Sequence, residues 1–272
     1  MSEMKSWETG ASACFFGKLD PETLEQYAKG GVSCIELSFS YRSYYEDLQF
    51  VHRSVEIARQ AADAGVRLHS IHLPFSHDLD VSHPDREKRD FTVKTNLELI
   101  DAAAKAGIGI AVVHPSSEPI DEADRPVRLE LSRANLVRLA EHARSCGMRL
   151  AVENLPRTCL CRNSGDMKFI LAGSDDLYTV FDTNHLLMQD NVEFIRDIGS
   201  KIITLHVSDY DFIDERHQMP LEGKNDWKSI IHALEDTGYN GPWLYELGSK
   251  GIYTASDLVE NHRKLAALCG EI

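Results

Sequence analysis

Short runs of apolar and β-branched residues alternate along the chain with longer segments whose apolar positions recur every three or four residues. The runs are ASACFF (11–16), VSCIEL (32–37), VRLHSIHL (66–73), GIAVVH (109–114), MRLAVEN (148–154), LYTVFD (177–182), KIITLHV (201–207) and PWLYEL (242–247). Runs of this kind predict buried strands, and the segments between them predict helices. Asp20 opens the first helical segment, DPETLEQYAKGG, as a cap followed by proline, and many segments end in the glycine that a left-handed C-terminal turn favours. Strands alternating with helices predict a parallel sheet. Eight such units in 272 residues predict an α/β protein folded as a single (β/α)8 TIM barrel, one domain over residues 1–272. An open doubly wound sheet is the alternative, but neither G-x-G-x-x-G nor G-x-x-x-x-G-K-[ST] occurs.

Composition narrows the setting. Apolar residues at 43% and charged residues at 26% are ordinary for a globular protein. No apolar stretch approaches the ~18 residues of a membrane helix, and MSEMKSWETG lacks the apolar core of a secretory signal, so a cytoplasmic location is the expectation. Lys and Arg number 29 against 43 Asp and Glu, a net charge of −14. Nucleic acid is therefore disfavoured as a partner, because phosphate affinity comes largely from basic side chains. The six cysteines have neither the density nor the spacing of a disulfide framework, and the C-x-C at Cys159 and Cys161 has no second pair downstream. Reduced thiols are expected.

Nearly every run ends on a side chain able to bind a metal: Glu36, His72, His114, Glu153, Asp182, His206 and Glu246. Strand C-termini converge on one mouth of a barrel, so these residues meet in space. Alternation supports this. Counting back by twos places Val112 and Ile110 beneath His114, Thr204 and Ile202 beneath His206, Val180 beneath Asp182, and Ser70 and Leu68 beneath His72. Several buried carboxylates close together are costly without a neutralising cation. Carboxylate and imidazole donors without thiolate suit Mn, Zn, Mg, Co or Fe.

These residues, in order and spacing, resemble the xylose-isomerase-like barrel superfamily of sugar isomerases and epimerases, to which endonuclease IV is related. The resemblance rests on IEL (35–37), SIHLPF (70–75), VVHPS (112–116), ENLPR (153–157), FDTNH (181–185), LHVSDYD (205–211), RHQMPLEGKNDW (216–227) and YEL (245–247). It implies one divalent ion, manganese first, held by Glu153, Asp182, His206 and Glu246. The two glutamates would move a proton next to a substrate carbonyl while the ion stabilises the enediolate. His185 would position the substrate. Related dehydratases of the keto-inositol or dehydroshikimate type use the same enolisation.

In the nuclease branch, His72, His114, His185 and His217 correspond to additional zinc ligands, so a zinc-dependent apurinic endonuclease is the competing class. Glu215 stands there where an aspartate is usual, and Phe75 where a tyrosine is usual. The epimerase branch carries an arginine six residues after the metal-binding histidine. Phe212 occupies that position here, with Arg216 the nearest cation. Arg157 is a candidate for a phosphate, a carboxylate or a structural ion pair, and Lys224 for an anionic substrate or a solvated loop. Glu36 and Asp209 are candidates for substrate contact or for orienting a neighbour. Phe16, Phe39, Phe75 and Trp227 fit either a sugar-stacking wall or ordinary packing, and SYRSYYEDL (40–48) either a lid or an interaction surface. The expected partner is a small carbohydrate; self-association is left open.

Overall fold

A computed structural model describes residues 7–15, 19–38, 49–248 and 252–270. Eight parallel strands form the sheet: β1 (Thr9–Ser12), β2 (Cys34–Ser38), β3 (Arg67–His72), β4 (Ile110–Val113), β5 (Arg149–Glu153), β6 (Leu177–Asp182), β7 (Ile202–His206) and β8 (Trp243–Tyr245). Each strand pairs with its sequence neighbours, and β1 pairs with β8. The ring closes where Val207 N–H donates to the Leu244 carbonyl at 2.8 Å and Glu246 N–H to the Val207 carbonyl at 3.0 Å. Helices α1 (Pro21–Gly30), α2 (Gln49–Ala64), α3 (Arg86–Lys105), α4 (Arg125–Ser145), α5 (Ser164–Leu171), α6 (Asn191–Ile198), α7 (Trp227–Asp236) and α8 (Ala255–Gly270) follow the strands in turn. This is the (β/α)8 barrel that the alternation predicts. Phe16, Phe39 and the 40–48 segment lie outside the described residues.

Local chemistry accounts for the boundaries. Asp20 accepts from Thr23 N–H at 2.9 Å, and Gly31 takes φ +96° at the other end of α1, a conformation a side chain would strain. The first strand starts earlier than ASACFF suggests, because Gly10 belongs to it: a Cβ there would lie 2.9 Å from Cys34 Sγ. A short 3-10 turn at Ala13–Phe15 then carries the chain over the mouth.

Two layers of core follow from the strand alternation. Residues such as Ile35, Ile71, Val152, Phe181 and Leu205 pack outward against the helices. Ile110, Val112, Ala151 and Val180 fill the barrel interior with Ile203. The period of two fails twice. Ile35 pairs with Leu68 but Glu36 with Ser70, so His69 is an extra residue in β3; likewise Thr179 pairs with Ile202 and Val180 with Thr204, leaving Ile203 extra in β7. At each bulge the facing shifts by one. Leu68 and Ile202, expected inside, instead join the outer layer, while His69 Nε2 meets Thr204 Oγ1 at 3.0 Å.

Candidate metal centre

Glu153, Asp182 and His206 end three adjacent strands, and Glu246 follows β8 across the closure. One donor atom from each of the four lies within 4.8 Å of the others. Glu153, Asp182 and His206 are almost fully buried, whereas the Glu246 side chain keeps 14% exposure toward the mouth. Two further groups flank the quartet: His72, His114 and Glu153 on one side, and His185, Glu215 and His217 on the other. Glu153 is common to the quartet and the first flanking group.

The hydrogen bonds of the histidines fix which nitrogen each presents. His206 Nε2–H donates to Glu36 Oε1 at 3.0 Å, leaving Nδ1 at 3.1 Å from both Glu153 Oε1 and Glu246 Oε2. His72 Nδ1–H donates to the Leu73 carbonyl at 3.0 Å, leaving Nε2 at 3.1 Å from Glu153 Oε2. His185 Nδ1–H donates to the Asn154 carbonyl at 2.9 Å, leaving Nε2 at 3.2 Å from Glu215 Oε2. Each ring thus gives one N–H to an outer acceptor and turns its second nitrogen to a carboxylate oxygen; burial works against charging these imidazoles, but the facing carboxylates raise all three, so a proton holds each contact where a cation would otherwise lie. Two acceptors at that distance repel unless a proton or a cation lies between them. A ring nitrogen donating outward while its partner faces a carboxylate cluster is the arrangement of metal-binding histidines.

Asp182 gives the same answer by another route. Its backbone N–H donates to Asn154 Oδ1 at 2.8 Å, and its Oδ1 accepts from Asn184 N–H at 2.6 Å. Its Oδ2 is buried without a hydrogen-bond partner. Burial pushes this carboxyl up to about 7 against the pull of His185. A lone carboxylate oxygen in a dry site is costly, and a divalent ion is the partner the surrounding donors can hold. For Glu153, burial acts upward, but His206 and His114 outweigh it and hold the group ionised. The donor set therefore fits a divalent ion, and these buried His and carboxylate clusters can coordinate one.

A cavity of about 430 Å³ opens above the quartet, lined among others by Cys14, Phe75, Ser116, Ser117, Glu118, His185 and Glu246. Phe75 is half exposed and stacks on His114 with ring centroids 3.7 Å apart, forming one wall. Asp80 braces that side: its Oδ2 accepts from Ser117 N–H at 3.0 Å and pairs with Arg128 at 2.5 Å, Asp80 and Arg128 both being buried. A larger cavity, about 620 Å³, lies at the opposite end of the barrel among Arg67, Arg149 and Tyr178. It contains none of the clustered donors.

The remaining candidates divide by placement. Glu36 sits under His206, fully buried, with Ser70 Oγ–H donating to its other oxygen at 2.7 Å; it orients the imidazole from below. Arg157 lines the cavity, but its guanidinium is held by Glu118 (2.5 Å), Asp214 (2.7 Å) and Glu215 (2.6 Å). Asp209 turns away from the mouth. Its carboxylate accepts from Trp227 Nε1–H at 2.8 Å and from the backbone N–H groups of Tyr210, Leu221 and Asn225, which folds the loop between β7 and α7. Trp227 is buried there as an anchor and is no part of a sugar wall. Arg216 pairs with Asp211 at 2.9 Å, and Lys224 is exposed; neither lines the cavity. Sequence reasoning passed over Asn154 and Asn184, although both stand inside quoted motifs, ENLPR and FDTNH. The Asn184 Oδ1 accepts from the backbone N–H groups of Arg216 (2.9 Å) and His217 (3.3 Å). His217 is held there at φ +49°, and strain of that kind concentrates at functional sites. Cys14 was also missed; its Sγ lies 3.9 Å from Glu246 Oε1.

Comparison with known proteins agrees with this architecture. Among solved structures, a D-tagatose 3-epimerase-like protein superposes with a TM-score of 0.83 at 21% identity, covering 97% of this chain and 98% of the other. The D-psicose 3-epimerase of Clostridium cellulolyticum H10 superposes at 0.78 with 19% identity and the same coverage. Identities that low speak for the fold. Uncharacterized protein MJ1311 of Methanocaldococcus jannaschii is 27% identical over 185 residues, 63% of this chain and 61% of its own length. Fructoselysine 3-epimerase of Escherichia coli O157:H7 is 29% identical over 120 residues, 42% of this chain and 43% of its own. The chain thus spans between two fifths and two thirds of these curated relatives. A family profile described as xylose isomerase-like TIM barrel matches residues 24–268, and the chain belongs to that family.

Proposed function

We propose that the protein is a divalent-metal-dependent sugar isomerase or epimerase that transfers a proton next to a substrate carbonyl, with Glu153 and Glu246 as the acid/base pair. The observation that carries this reading is the placement of those two carboxylates. Both lie 3.1 Å from the same imidazole nitrogen, His206 Nδ1, and both line the 430 Å³ cavity. In this reading Glu153, Asp182, His206 and Glu246 hold the ion. When bound, the ion supplies Lewis-acid polarisation of a carbonyl, without which the adjacent C–H is too weakly acidic to ionise near neutral pH. One glutamate removes the proton from one face of the substrate and the other returns a proton to the opposite face, which inverts the carbon. His185 orients a substrate oxygen from the rim, and Phe75 presents an apolar face to the sugar.

The charge around the cavity favours an uncharged sugar over a phosphorylated one. Arg157 is the single Lys or Arg among the described lining residues, and three carboxylates already neutralise it. The names of two similar proteins, a D-tagatose 3-epimerase-like protein and a D-psicose 3-epimerase, are consistent with that preference.

The test is incubation of the manganese-loaded protein with a panel of ketoses in deuterated water, followed by NMR. Incorporation of solvent deuterium next to the carbonyl, with no loss of water, is expected, and Glu246→Gln should slow it by about 10³, within the span of acid–base catalysis. A product lighter by one water would point to a dehydratase instead. The two flanking groups, with Glu153 shared, favour a second reading: a multi-zinc phosphoesterase acting on abasic DNA. Cleavage of an abasic duplex without exchange in any ketose would establish that alternative.

A further inference from the structure

On the outer layer of the barrel, away from the mouth, α3 and α4 bring three donors of different type together. His142 lies in the last turn of α4, and Cys146 caps its end four residues later, so both side chains stand on one helix face. Asp101 reaches across from α3. His142 Nε2 lies 2.8 Å from Asp101 Oδ1, Cys146 Sγ lies 3.5 Å from the same oxygen, and Cys146 Sγ lies 3.7 Å from His142 Nε2.

These separations can be compared with a tetrahedron. Zinc binds sulfur at about 2.3 Å and nitrogen or carboxylate oxygen at about 2.0–2.1 Å. Tetrahedral angles then put S···N and S···O edges near 3.5 Å and the N···O edge near 3.3 Å. The two sulfur edges agree with the structure. The N···O edge is shorter because a hydrogen bond closes it, and the ring needs to move by only about half an ångström to open it.

Connectivity separates this cluster from a nucleophilic triad. In a triad the carboxylate binds one ring nitrogen and the nucleophile the other. Here oxygen and sulfur converge on the same Nε2, so all three donors point at one common position. The charges agree. The nearby end of α4 carries the negative pole of its helix dipole, and Arg144 is turned away to Asp176 at 3.2 Å. Asp101 and His142 side chains are 49% and 31% exposed, which leaves a fourth corner open to water.

We propose that Asp101, His142 and Cys146 form a second metal site, separate from the mouth, that takes a zinc-like divalent ion with water as fourth ligand and ties α3 to α4. On binding, the Cys146 thiol proton passes to solvent and the imidazole proton shifts from Nε2 to Nδ1. The carboxylate and thiolate then neutralise the ion.

Cobalt reports this site separately from the mouth, because a sulfur-to-cobalt charge-transfer band needs a thiolate and the mouth quartet has none. The metal-free full-length chain is titrated with Co²⁺ and the near-ultraviolet band recorded. Cys14 lies beside Glu246, so Cys14→Ser is the control. The band is expected in the wild type and in Cys14→Ser and should be absent from Cys146→Ser. His142→Ala should weaken the cobalt affinity read from the band at least tenfold. Zinc should protect Cys146 from alkylation in the unmutated protein, a readout that needs no variant. A wild type without the band at saturating cobalt, a band that survives in Cys146→Ser, or unprotected Cys146 in excess zinc would each overturn the proposal.

Discussion

Replacing Glu36 probes whether His206 meets a metal through Nδ1, because Glu36 touches the ring only on its far side. His206, Glu36 and Ser70 are all fully buried. Glu36 accepts from His206 Nε2–H at 3.0 Å and from Ser70 Oγ–H at 2.7 Å, so the carboxylate both locks the tautomer and raises the basicity of Nδ1. In Glu36→Gln the amide oxygen can still accept from Nε2–H while its NH2 turns to Ser70. The tautomer survives and the charge is lost. In Glu36→Leu the acceptor disappears and a buried N–H is left unpaired, which costs about 1–3 kcal/mol of folding stability. Outer partners of metal-binding histidines are worth about 10–100-fold in metal affinity, or about 1.4–2.7 kcal/mol. The glutamine variant should fall near the lower limit and the leucine variant near the upper. Competition against a chromogenic chelator measures Mn²⁺ affinity, with circular dichroism as a check on folding. If both folded variants bind manganese within about threefold of the wild type, a deficit below ~0.7 kcal/mol, His206 does not carry the ion in this way.

Other consequences follow from the same structure. Burial raises the Asp182 carboxyl to about 7, and against burial Glu246 and Glu36 hold His206 well above its usual value, so metal binding displaces protons from both. Apparent Mn²⁺ affinity should drop at least tenfold per pH unit below 7, and a flat profile between pH 5 and 7 would contradict that, both measured by calorimetry at a series of pH values. Burial pulls His69 down from 6.5 to about 3. Between those values the unfolded chain binds the extra proton, so this contribution is present above 6.5 and lost as pH falls. At pH 5 the loss is about 2 kcal/mol, 1.5 pH units at 1.36 kcal/mol each. Urea unfolding of His69→Gln should show a shallower decline in stability from pH 7 to 5 than the wild type, and parallel declines would refute it. Asp80→Ala strands the buried Arg128 and should cost about 3–5 kcal/mol, with the cavity wall at Ser117 loosened; a loss below 1 kcal/mol in denaturant would show the pair to be dispensable.

The barrel and the ring of mouth residues were legible because both depend on periodicity. An apolar run of five or six residues ending in Glu, His or Asp, then a helix, places its last side chain at the mouth whatever the details of packing. What escaped is tertiary. The bulges at His69 and Ile203 insert one residue against one partner, and no local pattern announces them. Arg157 reads in ENLPR as an anion ligand as readily as half of an ion pair, and only the fold shows that Glu118, 39 residues earlier in the chain, neutralises it from the loop after the preceding strand, β4. Asp209 resembles a site acid in LHVSDYD, but Gly223 packs so tightly on it that a Cβ would lie 2.3 Å from Oδ1, and the carboxylate serves the loop. Asp101 and His142 are 41 residues apart on helices whose adjacency only the closed barrel supplies.

The most direct test is an anomalous-difference map from a crystal of the full chain soaked in Mn²⁺, recorded at the manganese edge. A peak bonded to Glu153, Asp182, His206 Nδ1 and Glu246 is expected, with His206 Nε2 still donating to Glu36. A quartet without density, while manganese occupies only the His185–Glu215–His217 group or none, would contradict it.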